Sequence, residues 1–258
     1  MMSVRYSGAG NTFLLIDNRL SGFDPQEVPS LCSQAEVDGI IILETSTCAD
    51  ASMRIFNPDG SEAEMCGNGL RCFIPFLKEC GIHKPRYTIE TLAGIQEGWI
   101  AKDEVCVLFA TPTDLKLELP YDLFFLNTGV PHAVLFVESV ENIDVDEIGR
   151  PLRLSPLFAP AGANINFVCK ELDGSLSVRT YERGVEAETP ACGTGVVASA
   201  LIAHKVLGCA SPIRVIVRSG QRLTVSFNDD WTAVILQGPA TRAGNFELND
   251  RVPIMAAT

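Results

Sequence analysis

Apolar residues fall along this chain in short bursts, most of them bounded by glycine, proline or asparagine. Such punctuation predicts strands joined by turns. Residues 4–6 and 14–16 flank the turn Gly8-Ala9-Gly10-Asn11, which either lets backbone approach a ligand or simply closes a hairpin. Residues 40–43 read Ile-Ile-Ile-Leu, a buried strand, and residues 52–57 alternate into the turn Asn57-Pro58-Asp59-Gly60. A meander over 87–109 ends in Val105-Cys106-Val107-Leu108-Phe109. Residues 124–126 and 133–137 flank a turn that carries His132, Gly162-Ala163-Asn164 enters another strand, and 176–181 alternate. Three strands over 213–218, 222–227 and 231–237 close the pattern.

Helical periodicity is rarer. A short helix is expected over 25–33. Leu70, Phe73, Ile74 and Leu77 make a helical stripe that Gly81 caps, with Pro75 expected to kink or shorten it. An Ala/Val/Leu/Ile run over 193–207 predicts a second long helix ended by Gly208. Each half therefore reads as several strands around one long helix, an α+β arrangement. The break Thr111-Pro112-Thr113-Asp114 divides it into residues 1–113 and 114–243.

The two long helices share an introduction. Gly60-Ser61-Glu62-Ala63-Glu64-Met65-Cys66-Gly67-Asn68-Gly69 precedes the first, and Gly184-Val185-Glu186-Ala187-Glu188-Thr189-Pro190-Ala191-Cys192-Gly193-Thr194-Gly195 the second. Both read Gly-x-Glu-Ala-Glu, a spacer, then Cys-Gly-x-Gly, and they lie about half the chain apart. The duplicated unit is a thiol at the start of a helix, with a glutamate, Glu62 or Glu188, four residues ahead. The glutamates themselves read as structural groups near the helix N-termini.

Composition narrows the classes. A formal charge of −12 and a pI near 4.7 argue against a nucleic-acid partner. The first residues show no basic stretch followed by an apolar one, and no apolar run approaches the length of a membrane span, so a cytoplasmic protein is expected. The nine cysteines are scattered without a Cys-x-x-Cys pair, which points to free thiols rather than zinc or a thioredoxin-like motif. Most are expected to be small core residues.

Cys66 and Cys192 differ from the rest because a helix follows each. The positive end of a helix dipole and its open N–H groups lower a thiol's pKa and bind an anion such as a carboxylate. Two such thiols facing one small anionic substrate suit inversion of a stereocentre: one thiolate takes the α-hydrogen while the opposite thiol supplies a new one. No lysine stands in a recognisable pyridoxal-binding context.

The segments Gly10-Asn11-Thr12-Phe13, Phe56-Asn57-Pro58-Asp59-Gly60, Met65-Cys66-Gly67-Asn68-Gly69-Leu70-Arg71-Cys72, Pro131-His132, Asn164-Ile165-Asn166-Phe167, Tyr181-Glu182-Arg183-Gly184 and Ala191-Cys192-Gly193-Thr194-Gly195 resemble, in order and nearly end to end, the motif series of the diaminopimelate epimerase family. The resemblance implies interconversion of LL- and meso-diaminopimelate without cofactor or metal, for lysine and peptidoglycan synthesis. It implies two pseudo-symmetric α/β halves, each a mostly antiparallel curved sheet around a central helix, with the site in the cleft between them. It further implies a homodimer and a C-terminal strand, about 244–258, returning to the first half. Carried over by position, Cys66 and Cys192 are the acid/base pair, with His132 and Glu182 as polar partners beside them. Gly67, Asn68, Gly193 and Thr194 are donors to the α-carboxylate. Asn11, Asn57, Asn164, Glu182 and Arg183 bind the substrate. His83 and His204 take no role.

One position departs from the family pattern: Val130 stands where many members have asparagine touching the far end of the substrate. This raises the alternative of a relaxed preference that admits a shorter acidic amino acid such as glutamate, set against substitution by a neighbouring group or water. Two other readings remain: a two-cysteine racemase of the proline or hydroxyproline kind, and a redox protein whose facing thiols form a reversible disulfide.

Overall fold

A computed structural model describes residues 2–20 and 22–248. The first half runs β1 (Ser3–Gly8), β2 (Asn11–Asp17), α1 (Val28–Ala35), β3 (Gly39–Glu44), β4 (Ala51–Phe56), β5 (Glu62–Ala63), α2 (Gly67–Glu79), β6 (Tyr87–Thr91), β7 (Gly94–Ala101) and β8 (Glu104–Phe109). After β9 (Thr113–Lys116) the same series recurs. It runs β10 (Leu123–Asn127), β11 (Pro131–Phe136), α3 (Val145–Arg153), β12 (Asn164–Lys170), β13 (Leu176–Glu182), β14 (Ala187–Thr189), α4 (Gly193–Leu207), β15 (Ile213–Val217), β16 (Arg222–Phe227) and β17 (Val234–Gly238), and β18 (Thr241–Asn245) follows.

Strand pairing repeats with the elements. β1–β2 and β10–β11 are antiparallel hairpins, β2–β3 and β11–β12 are parallel, and β4–β6 and β13–β15 are parallel. The two halves join edge to edge where β8 pairs antiparallel with β17. Each half also lends the other a strand: β9, which follows the first half, pairs with β10, and β18, which follows the second, pairs with β1. The fold is thus an α+β arrangement of two pseudo-symmetric halves. A strand meets β1 over Thr241–Asn245; of the expected 244–258 span, residues 249–258 lie outside the described residues.

One apolar core surrounds α2 and α4 together and takes in both halves. Ile41 and Leu43 face it, whereas Ile40 and Ile42 face a second cluster under α1. Burial on both sides explains why 40–43 is apolar without alternation. In the second half α3 covers Ala133, Ile165, Phe167 and Tyr181 in the same way. Burying each such aliphatic side chain contributes about 1.5–3 kcal/mol.

Several elements differ from expectation. α2 continues through Pro75 to Glu79 and is buried nearly all round rather than along one stripe. The missing N–H costs about 3 kcal/mol, and burial of Phe73, Ile74, Phe76 and Leu77 inside the encircling sheet offsets it. α3, which contains Gly149 and Pro151, was not visible in the pattern. The last expected strand begins at Val234, not at Trp231, because Trp231 adopts a left-handed φ of 58° in a turn.

Candidate active site

The sheet strands deliver both long helices to one seam with their N-termini facing. Cys66 caps α2 and Cys192 caps α4, both in extended backbone conformation. A β-carbon built on Gly67 would stand 3.7 Å from the Gly193 α-carbon, ordinary contact distance, so the two helix tips meet directly. The first N–H groups of each helix have no intrahelical acceptor, and here two such sets converge. The tip of the β1–β2 hairpin packs on the same seam: Ser219 Oγ donates to the Ala9 carbonyl at 2.7 Å, and a β-carbon on Gly10 would lie 2.6 Å from Ser219 Cβ. The glycines of this turn therefore admit protein contacts.

Burial outweighs the helix dipole at both thiols, against the expectation from sequence. Cys66 Sγ accepts the Gly69 N–H at 3.4 Å, which favours the thiolate. Burial is the larger effect and pushes the Cys66 thiol up, with Glu182 adding to it. Burial likewise pushes the Cys192 thiol well above the usual thiol range, with Glu182 next; Thr194 and the Gly195 N–H oppose it. Glu182 is close enough to act electrostatically on both sulfurs. Its own carboxyl is raised by burial, while Thr189 Oγ1 donates to its Oε2 at 2.9 Å. All nine cysteines are free thiols.

His132 sits in β11, not on the turn before it, and is completely buried. Strand alternation aims its ring at the first turn of α4. Asn166 Nδ2 lies 2.9 Å from the Ala133 carbonyl and 3.1 Å from His132 Nδ1, and its Oδ1 accepts from Thr180 Oγ1 at 3.0 Å. A carbonyl only accepts, so the Asn166 amide is fixed with its NH₂ towards the imidazole. Nδ1 is then the acceptor and Nε2 carries the proton. Nε2 donates to Thr194 Oγ1 at 2.9 Å, leaving the threonine proton for Cys192 Sγ 3.4 Å away. Burial, helped by the Arg183 charge, lowers the His132 pKa from 6.5 to about 3. The chain Thr180–Asn166–His132–Thr194–Cys192 is therefore neutral and runs one way.

The first half has a counterpart of different chemistry. Asn68, at the position of Thr194, donates through Nδ2 to Asn11 Oδ1 at 2.7 Å and to the Ala191 carbonyl at 2.8 Å. Under the helix tips, a β-carbon on Gly69 would touch Ile41 and Ile55, whereas one on Gly195 would meet Asn166. The halves share a backbone plan but not a polar network.

The remaining expected residues lie outside these two networks. Asn164 Nδ2 donates to the Pro131 carbonyl at 3.0 Å, and its Oδ1 accepts the Arg183 N–H at 2.8 Å. Its amide thus ties β11 to the Arg183 loop. The Arg183 guanidinium makes one long contact, Nη1 to the Ala161 carbonyl at 3.4 Å, and is partly exposed rather than buried. Asn57 is exposed on its turn with Nδ2 donating to Ser61 Oγ at 3.0 Å. Val130 lies in the turn before β11.

The duplicated glutamates form duplicated ion pairs. Glu62 takes both Nε and Nη2 of Arg54 at 2.7 and 2.9 Å, and Glu188 takes those of Arg179 at 2.6 and 2.7 Å. Each ties the segment ahead of its cysteine to the strand before it. Asn166, Thr180 and Arg71 carried no role from sequence. Their available signals were a polar residue between Ile165 and Phe167 and a charge inside an apolar helix. Among the described residues no helix is long and apolar enough to cross a membrane, and no three His, Cys, Asp or Glu side chains are grouped as a metal site requires.

The family model for diaminopimelate epimerase matches residues 3–111 and 124–243. A diaminopimelate epimerase from Hydrogenobaculum sp. (strain Y04AAS1) is 39% identical, covering 94% of this chain and 96% of its own. That from Flavobacterium psychrophilum is 38% identical, covering 93% and 97%. Among solved structures, a Bacillus anthracis phenazine biosynthesis protein of the PhzF family superposes with a TM-score of 0.73 at 20% identity, over 95% of this chain and 98% of that one. An Agrobacterium vitis hydroxyproline epimerase gives 0.68 at 16%, over 96% and 90%. These two show the fold alone. The sequence matches show more: the chain belongs to the diaminopimelate epimerase family and is an amino-acid epimerase.

Proposed function

We propose that the protein interconverts LL- and meso-diaminopimelate by two-thiol acid/base catalysis, within lysine and peptidoglycan-precursor synthesis. The observation that carries the reading is the meeting of two Cys-capped helix N-termini at one seam, with Gly67 and Gly193 in contact distance. The convergent N–H groups suit the α-carboxylate and the charge that builds on it when the α-proton leaves. One sulfur, as thiolate, takes the α-proton; the bond pair stays on the α-carbon and spreads into the carboxylate. The thiol on the opposite face donates its proton to that carbon and is left as thiolate. Glu182, whose charge bears on both sulfurs, suits the role of accepting the proton that a buried thiol must lose. The Arg183 guanidinium, free of any carboxylate partner among the described residues, suits the distal carboxylate.

The test is inversion assayed separately on LL-diaminopimelate, meso-diaminopimelate, L-glutamate and L-proline. The reading requires turnover of diaminopimelate at least about a hundred-fold above proline in kcat/KM, a gap of about 2.7 kcal/mol. Turnover of proline alone would replace it with the racemase reading. Comparable turnover of glutamate would show that Val130 widens the site.

A further inference from the structure

The first half contains a buried charge that this reading leaves unused. Arg71 lies one turn into α2 and is 0% exposed. Its Nη2 donates to Asn68 Oδ1 at 2.8 Å, its Nη1 reaches the Gly67 carbonyl at 3.5 Å, and its Nε has no hydrogen-bond partner. Among the described residues no carboxylate forms an ion pair with it. The matching position of α4 is Val197, so the fold does not require a cation there.

A buried charge without a counter-ion costs several kcal/mol. Three ionisable groups act electrostatically on this one: Cys72 on the same helix, Cys66 at its tip and Glu104 on β8. Glu104 forms no ion pair with the guanidinium; its Oε2 instead accepts from Gln237 Nε2 at 2.6 Å. Burial pushes the Cys72 thiol to about 12, which keeps it neutral. Burial raises the Cys66 thiol too, and Glu182 from β13 opposes its ionisation, but Cys66 Sγ accepts the Gly69 N–H at 3.4 Å and is followed directly by Gly67 and Asn68, the two residues that Arg71 engages. Arg71 additionally fixes Asn68: a guanidinium only donates, so the amide oxygen turns to it and the NH₂ turns to Asn11 and to Ala191, the residue before Cys192.

We propose that Arg71 is the built-in counter-charge of the Cys66 thiolate, a positioning residue that acts from inside α2 and, through Asn68, holds the two thiol-bearing segments together. Its catalytic meaning rests on the two-thiol reading above, but its test does not. The two halves would then stabilise their thiolates differently, Cys66 by a fixed charge and Cys192 by the neutral His132–Thr194 chain.

The test is the pH dependence of iodoacetamide alkylation at Cys66, resolved by mass spectrometry in ligand-free Cys192→Ala protein. Arg71→Gln keeps a donor for Asn68 and removes the charge. The expected result is a midpoint about one unit higher and alkylation about ten-fold slower below it, with Arg71→Lys within about three-fold of the unsubstituted protein. An unchanged Cys66 profile in folded Arg71→Gln protein overturns the proposal. If Arg71→Gln does not fold, the native-arginine proteins decide. Cys66 in Cys192→Ala protein must titrate below Cys192 in Cys66→Ala protein, and the opposite order overturns the proposal. Alkylation needs no turnover, so this failure is distinct from an absence of epimerase activity.

Discussion

Gly67 and Gly193 stand tip to tip: a β-carbon on Gly193 would lie 3.6 Å from the Gly67 α-carbon and 3.4 Å from Asn68 Oδ1. That approach brings two helix N-termini together, as the proposed carboxylate cradle requires. A methyl on Gly67 would make only ordinary contacts, 3.7 Å to Gly193 and 3.8 Å to Phe109. Gly67→Ala should therefore fold with a Tm within about 4 °C of the parent. It should still lose at least about ten-fold in kcat/KM, because the methyl occupies the proposed carboxylate site. Thermal melts and steady-state kinetics on one preparation check both parts.

The two Cys-Gly-x-Gly motifs should not tolerate the same change at their last glycine. Gly195→Ala places a β-carbon 2.3 Å from Asn166 Oδ1 and 3.3 Å from His132 Cε1, inside the fixed polar chain. Gly69→Ala meets the Ile41 and Ile55 Cδ1 methyls at 3.0 Å, and side-chain ends can yield. Gly195→Ala should cost about 1–3 kcal/mol and Gly69→Ala less. Urea unfolding of both variants measures the difference, and equal costs would contradict the packing described.

His132 should make the protein acid-labile in a defined window. The unfolded chain protonates this imidazole below about 6.5, whereas the folded protein does so only below about 3. Between those values the unfolded state binds more protons. This part of the stability is complete above about pH 6.5 and is lost as pH falls towards 3. His132→Gln removes the linkage, so its urea midpoint should fall less steeply between pH 6.5 and 4. Parallel slopes would show that His132 charges freely in the fold.

The duplicated ion pairs should differ in worth. Arg179 and Glu188 are 11% and 16% exposed at their side chains, and Arg179 Nη1 also donates to the Val140 and Ile143 carbonyls at 2.7 and 2.9 Å. Arg54 and Glu62 are 34% and 25% exposed. Arg179→Met should cost about 3 kcal/mol or more, and Arg54→Met about 1 kcal/mol or less. Differential scanning calorimetry of the two variants gives the comparison.

Much of this arrangement was legible in the sequence because the duplication is written in chemically demanding residues. Cys-Gly-x-Gly before an apolar run fixes a thiol at a helix start, and its second copy implies a facing pair. The strand pattern was legible wherever turns interrupt apolar bursts, as at Gly8–Gly10. What stayed hidden depends on tertiary surroundings. Pro75 reads as a helix breaker, yet the encircling sheet holds α2 intact. His132 borders a turn in sequence but is strand-borne and buried, so its neutral state follows from its tertiary surroundings, burial first and the Arg183 charge second. The thiols read as activated by their helices, but burial outweighs the dipole. Glu62 and Glu188 were visible as a repeat, while their partners Arg54 and Arg179, one strand away, were not.

The central claim is that two thiols on opposite faces share one proton inversion. Solvent-hydrogen tracing tests it most directly: LL-diaminopimelate in D₂O, followed by NMR at early conversion. The account predicts deuterium at the α-carbon of the meso product and almost none in recovered LL substrate, with inversion abolished in both Cys66→Ala and Cys192→Ala proteins. Deuterium appearing equally in substrate and product, or inversion persisting without either cysteine, would contradict it.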